Sequence, residues 1–121
     1  MTKIAIIEDD AMIAQMYQMK FELDGFSTAL ANSGESGLKM LDEFKPDLLL
    51  LDLKLPGISG VELLEKIRAQ AKFEKLPVIL LTNSDRSEVP ADIEKFEIAD
   101  YIVKANLTPR HVVEKVKNTL A

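Results

Sequence analysis

Short apolar runs alternate five times along the chain with longer amphipathic stretches, and no linker-like or low-complexity segment interrupts them. The apolar runs predict strands at Lys3–Glu8, Ser27–Ala31, Asp47–Asp52, Leu76–Thr82 and Asp100–Lys104. Most are continuous rather than alternating, as in Leu48 to Leu51 and Val78 to Leu81, the pattern of parallel strands covered on both faces. The amphipathic stretches predict helices over about Ala11–Leu23, Gly34–Phe44, Ser59–Ala71, Arg86–Phe96 and Thr108–Leu120. Their punctuation agrees: Asp24-Gly25 ends the first, and Ser33, Ser59 and Thr108 stand where N-caps belong. Glu62 completes a capping box with Ser59, and Pro109 suits a first helical position. Such βα units, joined by right-handed crossovers, wind into an α/β fold, a doubly wound five-stranded parallel sheet with five helices.

Composition narrows the picture. With 121 residues, 47% of them hydrophobic, the chain has the length and apolar content for one domain around one core. The net charge of −5 and the scattered basic residues exclude an obvious phosphate-backbone footprint, so no direct nucleic-acid binding is expected. The absence of cysteine removes disulfides, thiolate nucleophiles and Cys-based zinc sites. No apolar run approaches the length of a membrane span and no signal-peptide pattern opens the chain, so a cytoplasmic location is the default expectation.

In doubly wound sheets functional groups gather beyond the carboxyl ends of the strands. Those ends carry Glu8 followed by Asp9 and Asp10, then Asp52, Thr82 and Lys104. Carboxylates crowded together repel one another and cost stability unless a cation sits among them. Hard oxygen donors suit Mg²⁺, or Mn²⁺ in its place. A lysine and a hydroxyl beside such a cation complete a site for a phosphoryl group, and an aspartate carboxylate is a competent phosphoryl nucleophile.

The acidic run Ile7-Glu8-Asp9-Asp10, the strand Asp47 to Asp52 running into Leu55-Pro56-Gly57-Ile58-Ser59-Gly60, Thr82, and Asp100-Tyr101-Ile102-Val103-Lys104 resemble bacterial response regulator receiver domains. The intervals between them also fit, and the resemblance covers essentially the whole chain. It implies a CheY-like receiver domain over residues 1–121, with the flavodoxin-like strand order 2-1-3-4-5. It further implies that Asp52 is the phosphoacceptor and that Asp9 and Asp52 ligate Mg²⁺. Glu8 would reach the ion through water, and Lys54 would contribute its backbone carbonyl. Thr82 and Lys104 would bind the phosphoryl oxygens, and Tyr101 stands at the family's switch aromatic, coupled to Thr82. The implied partners are a sensor histidine kinase or histidine phosphotransfer protein and a downstream protein target, the chain being a monomer or a dimer formed on phosphorylation. Such a domain promotes its own phosphorylation and dephosphorylation and is not a turnover enzyme on an external substrate.

Three positions depart from the family pattern. Lys104 is followed by Ala105 where proline is common, and Asn83 stands where small residues are usual. Glycine is absent from Phe96-Glu97-Ile98-Ala99 and Pro90 restricts the preceding start, so the fourth helix is expected to be short and to end without a left-handed cap. In the first helix Ile13, Tyr17 and Phe21 form one apolar row and Met12, Met16, Met19 and Leu23 another. The second row is either a widened core face or an exposed surface for a helical phosphodonor. His111 reads as an exposed helix residue without a role. A flavin binder would need a glycine- and hydroxyl-rich loop where this chain has three acids, and an aspartate-dependent phosphatase would need Asp where Glu8 stands. The alternative that remains is a non-phosphorylated receiver-like interaction module.

Overall fold

The computed structural model describes residues 2–55, 57–82, 91–103 and 108–121. Five strands, β1 (Lys3–Ile7), β2 (Ser27–Ala31), β3 (Leu48–Asp52), β4 (Val78–Thr82) and β5 (Asp100–Val103), form one sheet in the order β2-β1-β3-β4-β5. Every neighbouring pair is parallel. The described α-helices are α1 (Ala11–Leu23), α2 (Gly34–Phe44), α3 (Gly60–Arg68) and α4 (Pro109–Leu120).

Sheet alternation divides the core in two, because successive strand residues point to opposite faces. Ile4, Ile6, Leu48, Leu50, Ile79, Leu81 and Ile102 meet Tyr17 and Phe21 of α1 and Val112, Val113 and Val116 of α4. On the other face Ala5, Ile7, Leu49, Leu51, Val78 and Leu80 meet Leu41 of α2 and Leu63, Leu64 and Ile67 of α3. Burial on both faces is what the continuous apolar runs required, and β3 and β4 are buried at every position. The helix starts follow the predicted caps. Ser33, Ser59 and Thr108 accept from the amides of Ser36, Glu62 and His111, and Pro109 opens α4. Gly25, at φ 91, lets the chain turn out of α1 in the left-handed region.

Two predicted elements come out differently. The third helix is shorter than Ser59–Ala71: α3 stops at Arg68, and Ala71–Phe73 forms a separate 3₁₀ turn whose Phe73 packs into the core. Of the predicted helix Arg86–Phe96, residues 86–90 lie outside the described residues, and Ala91–Phe96 is a 3₁₀ helix rather than an α-helix. Its exit corrects another expectation. Glu97 adopts φ 56, so the left-handed position is filled after all, by a residue other than glycine.

Arg68 of α3 reaches this exit. The Arg68 guanidinium donates to the carbonyl of Phe96 (Nε, 2.8 Å) and, from Nη1, to those of Phe73 (2.9 Å) and Leu76 (2.8 Å). Arg68 thereby ties together carbonyls of two irregular segments, that of Phe73 accepting also from the Leu76 amide at 3.3 Å. Its own burial lowers its pKa from the usual guanidinium value, opposed by the nearby Glu97 carboxylate.

Candidate functional site

The acidic cluster is assembled by two parallel strands that end side by side. Glu8 continues β1 by one step, its amide donating to the Ala31 carbonyl at 3.0 Å, and its side chain is 1% exposed. Asp9 follows, exposed. Asp10 plays a structural part, since its Oδ1 accepts from the amides of Met12 (3.0 Å) and Ile13 (3.1 Å) and caps α1. Asp52 ends β3 and is 2% exposed. The carboxylate oxygens of Glu8, Asp9 and Asp52 lie within 4.8 Å of one another.

Local structure orients Asp52. The backbone amide of Lys54 donates to Asp52 Oδ1 at 3.0 Å, so the chain folds back over the carboxylate directly after the strand. Leu53 anchors that turn from both sides, its amide donating to the Leu81 carbonyl at 3.2 Å and its own carbonyl accepting from the Gly60 amide at 3.1 Å. The second contact needs a glycine. A Cβ on Gly60 would lie 2.7 Å from Leu53 Cα, 2.9 Å from Leu53 O and 3.0 Å from Asp52 O.

Three carboxylates, two of them buried, form a donor set of hard oxygens. This fits a small divalent cation such as Mg²⁺ or Mn²⁺ and not a metal seeking nitrogen or sulfur. A larger cleft, of about 690 Å³, opens near the amino ends of β3 and β4 among Lys45, Asp47, Lys72, Glu74 and Lys75. It shares no residue with the carboxylate cluster.

The remaining expected residues distribute as follows. Thr82 ends β4 beside β3 and is 6% exposed. Tyr101 on β5 pairs in register with Leu80, and Thr82 with Val103, so period-two alternation puts Thr82 and Tyr101 on one sheet face. Tyr101 is half-buried against the core of that face. Lys104 follows the last residue of β5, and it lies outside the described residues with Ala105, Asn83, Pro56 and Pro90. His111 is exposed on α4, its Nδ1 3.1 Å from Thr108 Oγ1.

Sequence alone does not disclose the roles of Gly60 and Arg68. Gly60 follows the Pro-Gly turn after β3, yet its close approach to Leu53 becomes visible only when α3 is placed on β3. Arg68 has the look of an ordinary basic residue in a last helical turn.

Comparison with known proteins agrees with this geometry. Residues 4–117 match the family described as response regulator receiver domain. The transcriptional regulatory protein AfsQ1 of Streptomyces coelicolor is 41% identical over 105 residues, covering 86% of this chain and 45% of that protein. The DNA-binding response regulator MtrA of Mycobacterium tuberculosis is 34% identical over 119 residues, covering 98% and 50%. The chain thus spans about half the length of these curated relatives. Among solved structures, chemotaxis response regulator CheY4 of Vibrio cholerae has a TM-score of 0.90 over 98% of each chain, a likeness of fold alone at 20% identity. Response regulator TrrA of Thermotoga maritima, solved in complex with Mg²⁺ and BeF, has a TM-score of 0.83 at 29% identity, over 98% of this chain and 99% of its own. Matched over nearly its whole length and carrying buried acids at the ends of β1 and β3, this chain belongs to the receiver domain family of two-component response regulators.

Proposed function

We propose that this receiver domain is a cation-dependent switch whose Asp52 accepts a phosphoryl group from the histidine of a sensor kinase or phosphotransfer protein. One observation carries the reading: a carboxylate oxygen from each of Glu8, Asp9 and Asp52 lies within 4.8 Å of the others at the carboxyl edge of the sheet, a set of hard donors suited to a small divalent cation. Mg²⁺, or Mn²⁺, would be held by Glu8, Asp9, Asp52 and the backbone carbonyl of Lys54. When bound it supplies charge neutralisation to the phosphoryl oxygens.

An Asp52 carboxylate oxygen attacks the phosphorus. The new O–P bond forms as the donor's P–N bond breaks, and the electron pair leaves on the donor imidazole. The Lys54 amide orients the nucleophile through Oδ1. Thr82 and Lys104 are the proposed ligands of the phosphoryl oxygens. Drawing the Thr82 hydroxyl toward them vacates space on the face it shares with Tyr101, whose ring turns inward. Inverting a population from about 1:99 to 99:1 requires roughly 5.5 kcal/mol of preference for the active packing.

The output is contact with a protein partner rather than turnover of a substrate. A net charge of −5 argues against DNA contact by these residues, even though relatives of about twice the length are described as DNA-binding. Intact mass after incubation with acetyl phosphate and Mg²⁺ tests the proposal. The expected result is a gain of one phosphoryl group, lost in Asp52→Asn and with EDTA. No gain from either acetyl phosphate or a phosphorylated protein donor would leave the non-phosphorylated interaction module.

A further inference from the structure

The chain has no cysteine and no tryptophan, so among its side chains the thioethers of its five methionines are the groups most readily oxidised. They are not evenly placed. Met12, Met16 and Met19 are 81%, 46% and 65% exposed, and with Leu23, 79% exposed, they form one stripe along α1 at spacings of four, three and four residues. The stripe faces away from the buried Ala14, Tyr17 and Phe21, which hold the helix to the sheet. Met40 differs: it is half-buried and packs against the core between α2, α3 and the sheet.

We infer that the α1 methionine stripe is a reversible oxidation site, a second covalent input to this chain that is separate from the carboxylate at the end of β3. The oxidant is a hydroperoxide. A thioether lone pair attacks one peroxide oxygen, the S–O bond forms, and the O–O bond breaks. Sulfur loses two electrons, and the peroxide's other oxygen leaves as an alkoxide or hydroxide and takes up the proton that the transferred oxygen gives up, so the products are a sulfoxide and an alcohol or water. Because the three side chains are exposed, adding oxygen to their sulfurs disturbs no core contact, and the fold survives. The surface changes character, since each sulfoxide replaces a flexible apolar group with a polar one. An apolar face becomes a polar face while Asp52 and its neighbours are untouched.

Peroxide titration followed by peptide mass mapping tests this, with hydrogen peroxide as the probe. Met12, Met16 and Met19 should each gain one oxygen about ten times faster than Met40, as expected if accessibility controls the reaction. The oxidised protein should keep its circular dichroism and its acetyl phosphate labelling, elute earlier from a phenyl column, and return to its starting mass with the two methionine sulfoxide reductases and a dithiol, which is oxidised to a disulfide as the sulfoxide oxygen leaves as water. The triple variant Met12→Leu, Met16→Leu, Met19→Leu should take up three fewer oxygens than the wild type over the same interval and should not shift on the phenyl column. Oxidation of Met40 at a comparable rate, unfolding on modification of α1, or an unchanged elution position would each overturn the inference.

Discussion

Replacing Gly60 with alanine tests the clamp that holds Asp52. Gly60 lies outside the left-handed region, so alanine can adopt its backbone angles and the cost is steric. The three nearest atoms to the added Cβ, at 2.7, 2.9 and 3.0 Å, all belong to the backbone of Leu53 and Asp52 and cannot rotate away. Overpacking of this kind costs about 1–3 kcal/mol. Restricting the unfolded chain returns about 0.4–1 kcal/mol. The net loss is therefore about 1–2 kcal/mol, or about 4–8 °C in Tm at roughly 0.25 kcal/mol per degree for a domain of this size. The turn that moves carries the Lys54 amide, so the orientation of Asp52 moves too. Displacements of a few tenths of an ångström should slow acetyl phosphate labelling about tenfold, since a misplacement of about 1 Å can cost roughly a hundredfold. Thermal melts by circular dichroism and intact-mass labelling rates read the two effects. A Gly60→Ala protein with wild-type Tm and wild-type labelling would refute the view that α3 clamps the turn.

The other predictions concern separate parts of the molecule. Arg68→Gln removes a charged donor from the carbonyls of Phe73, Leu76 and Phe96 and should destabilise the domain by about 2–3 kcal/mol in urea denaturation; an unchanged midpoint would show that water replaces the guanidinium. At a Mg²⁺ concentration about ten times its Kd, mass action should stabilise the wild type by about 1.4 kcal/mol, and Asp9→Asn should lose most of that increment in a calorimetric Tm. An equal increment in both proteins would remove Asp9 from the cation site. The hydrogen bond from Lys117 holds the Asp24 carboxyl below its usual value of 3.8, outweighing partial burial. This pair therefore contributes stability above about pH 3.8 that is lost as pH falls through the lower folded value. Lys117→Met should narrow the stability gap to wild type over that acid range, and a gap constant with pH would contradict the assignment.

Much of this protein is legible in its sequence because much of its structure is local. Apolar runs identified five parallel strands, of which β3 and β4 are buried throughout, cap residues marked where α2, α3 and α4 begin, and strand ends named Glu8, Asp9, Asp52 and Thr82 before any of them had a position in space. The acids come together because parallel strands in register bring their carboxyl ends to one edge, a consequence of topology that periodicity already implies. Other features depend on which residues of distant segments meet. Whether the row of Met12, Met16 and Met19 was core or surface turned on how α1 is rotated against the sheet, and Tyr17 and Phe21 took the buried side. The 3₁₀ form of Ala91–Phe96 and the left-handed Glu97 go with the carbonyls that Arg68 reaches from α3, across a gap in sequence that no local pattern spans. Gly60 is required only because α3 starts against the backbone of Leu53. Hydrophobic period and capping are written in neighbouring residues; steric clearance, side-chain exposure and long-range hydrogen bonds exist only once the helices have packed on the sheet.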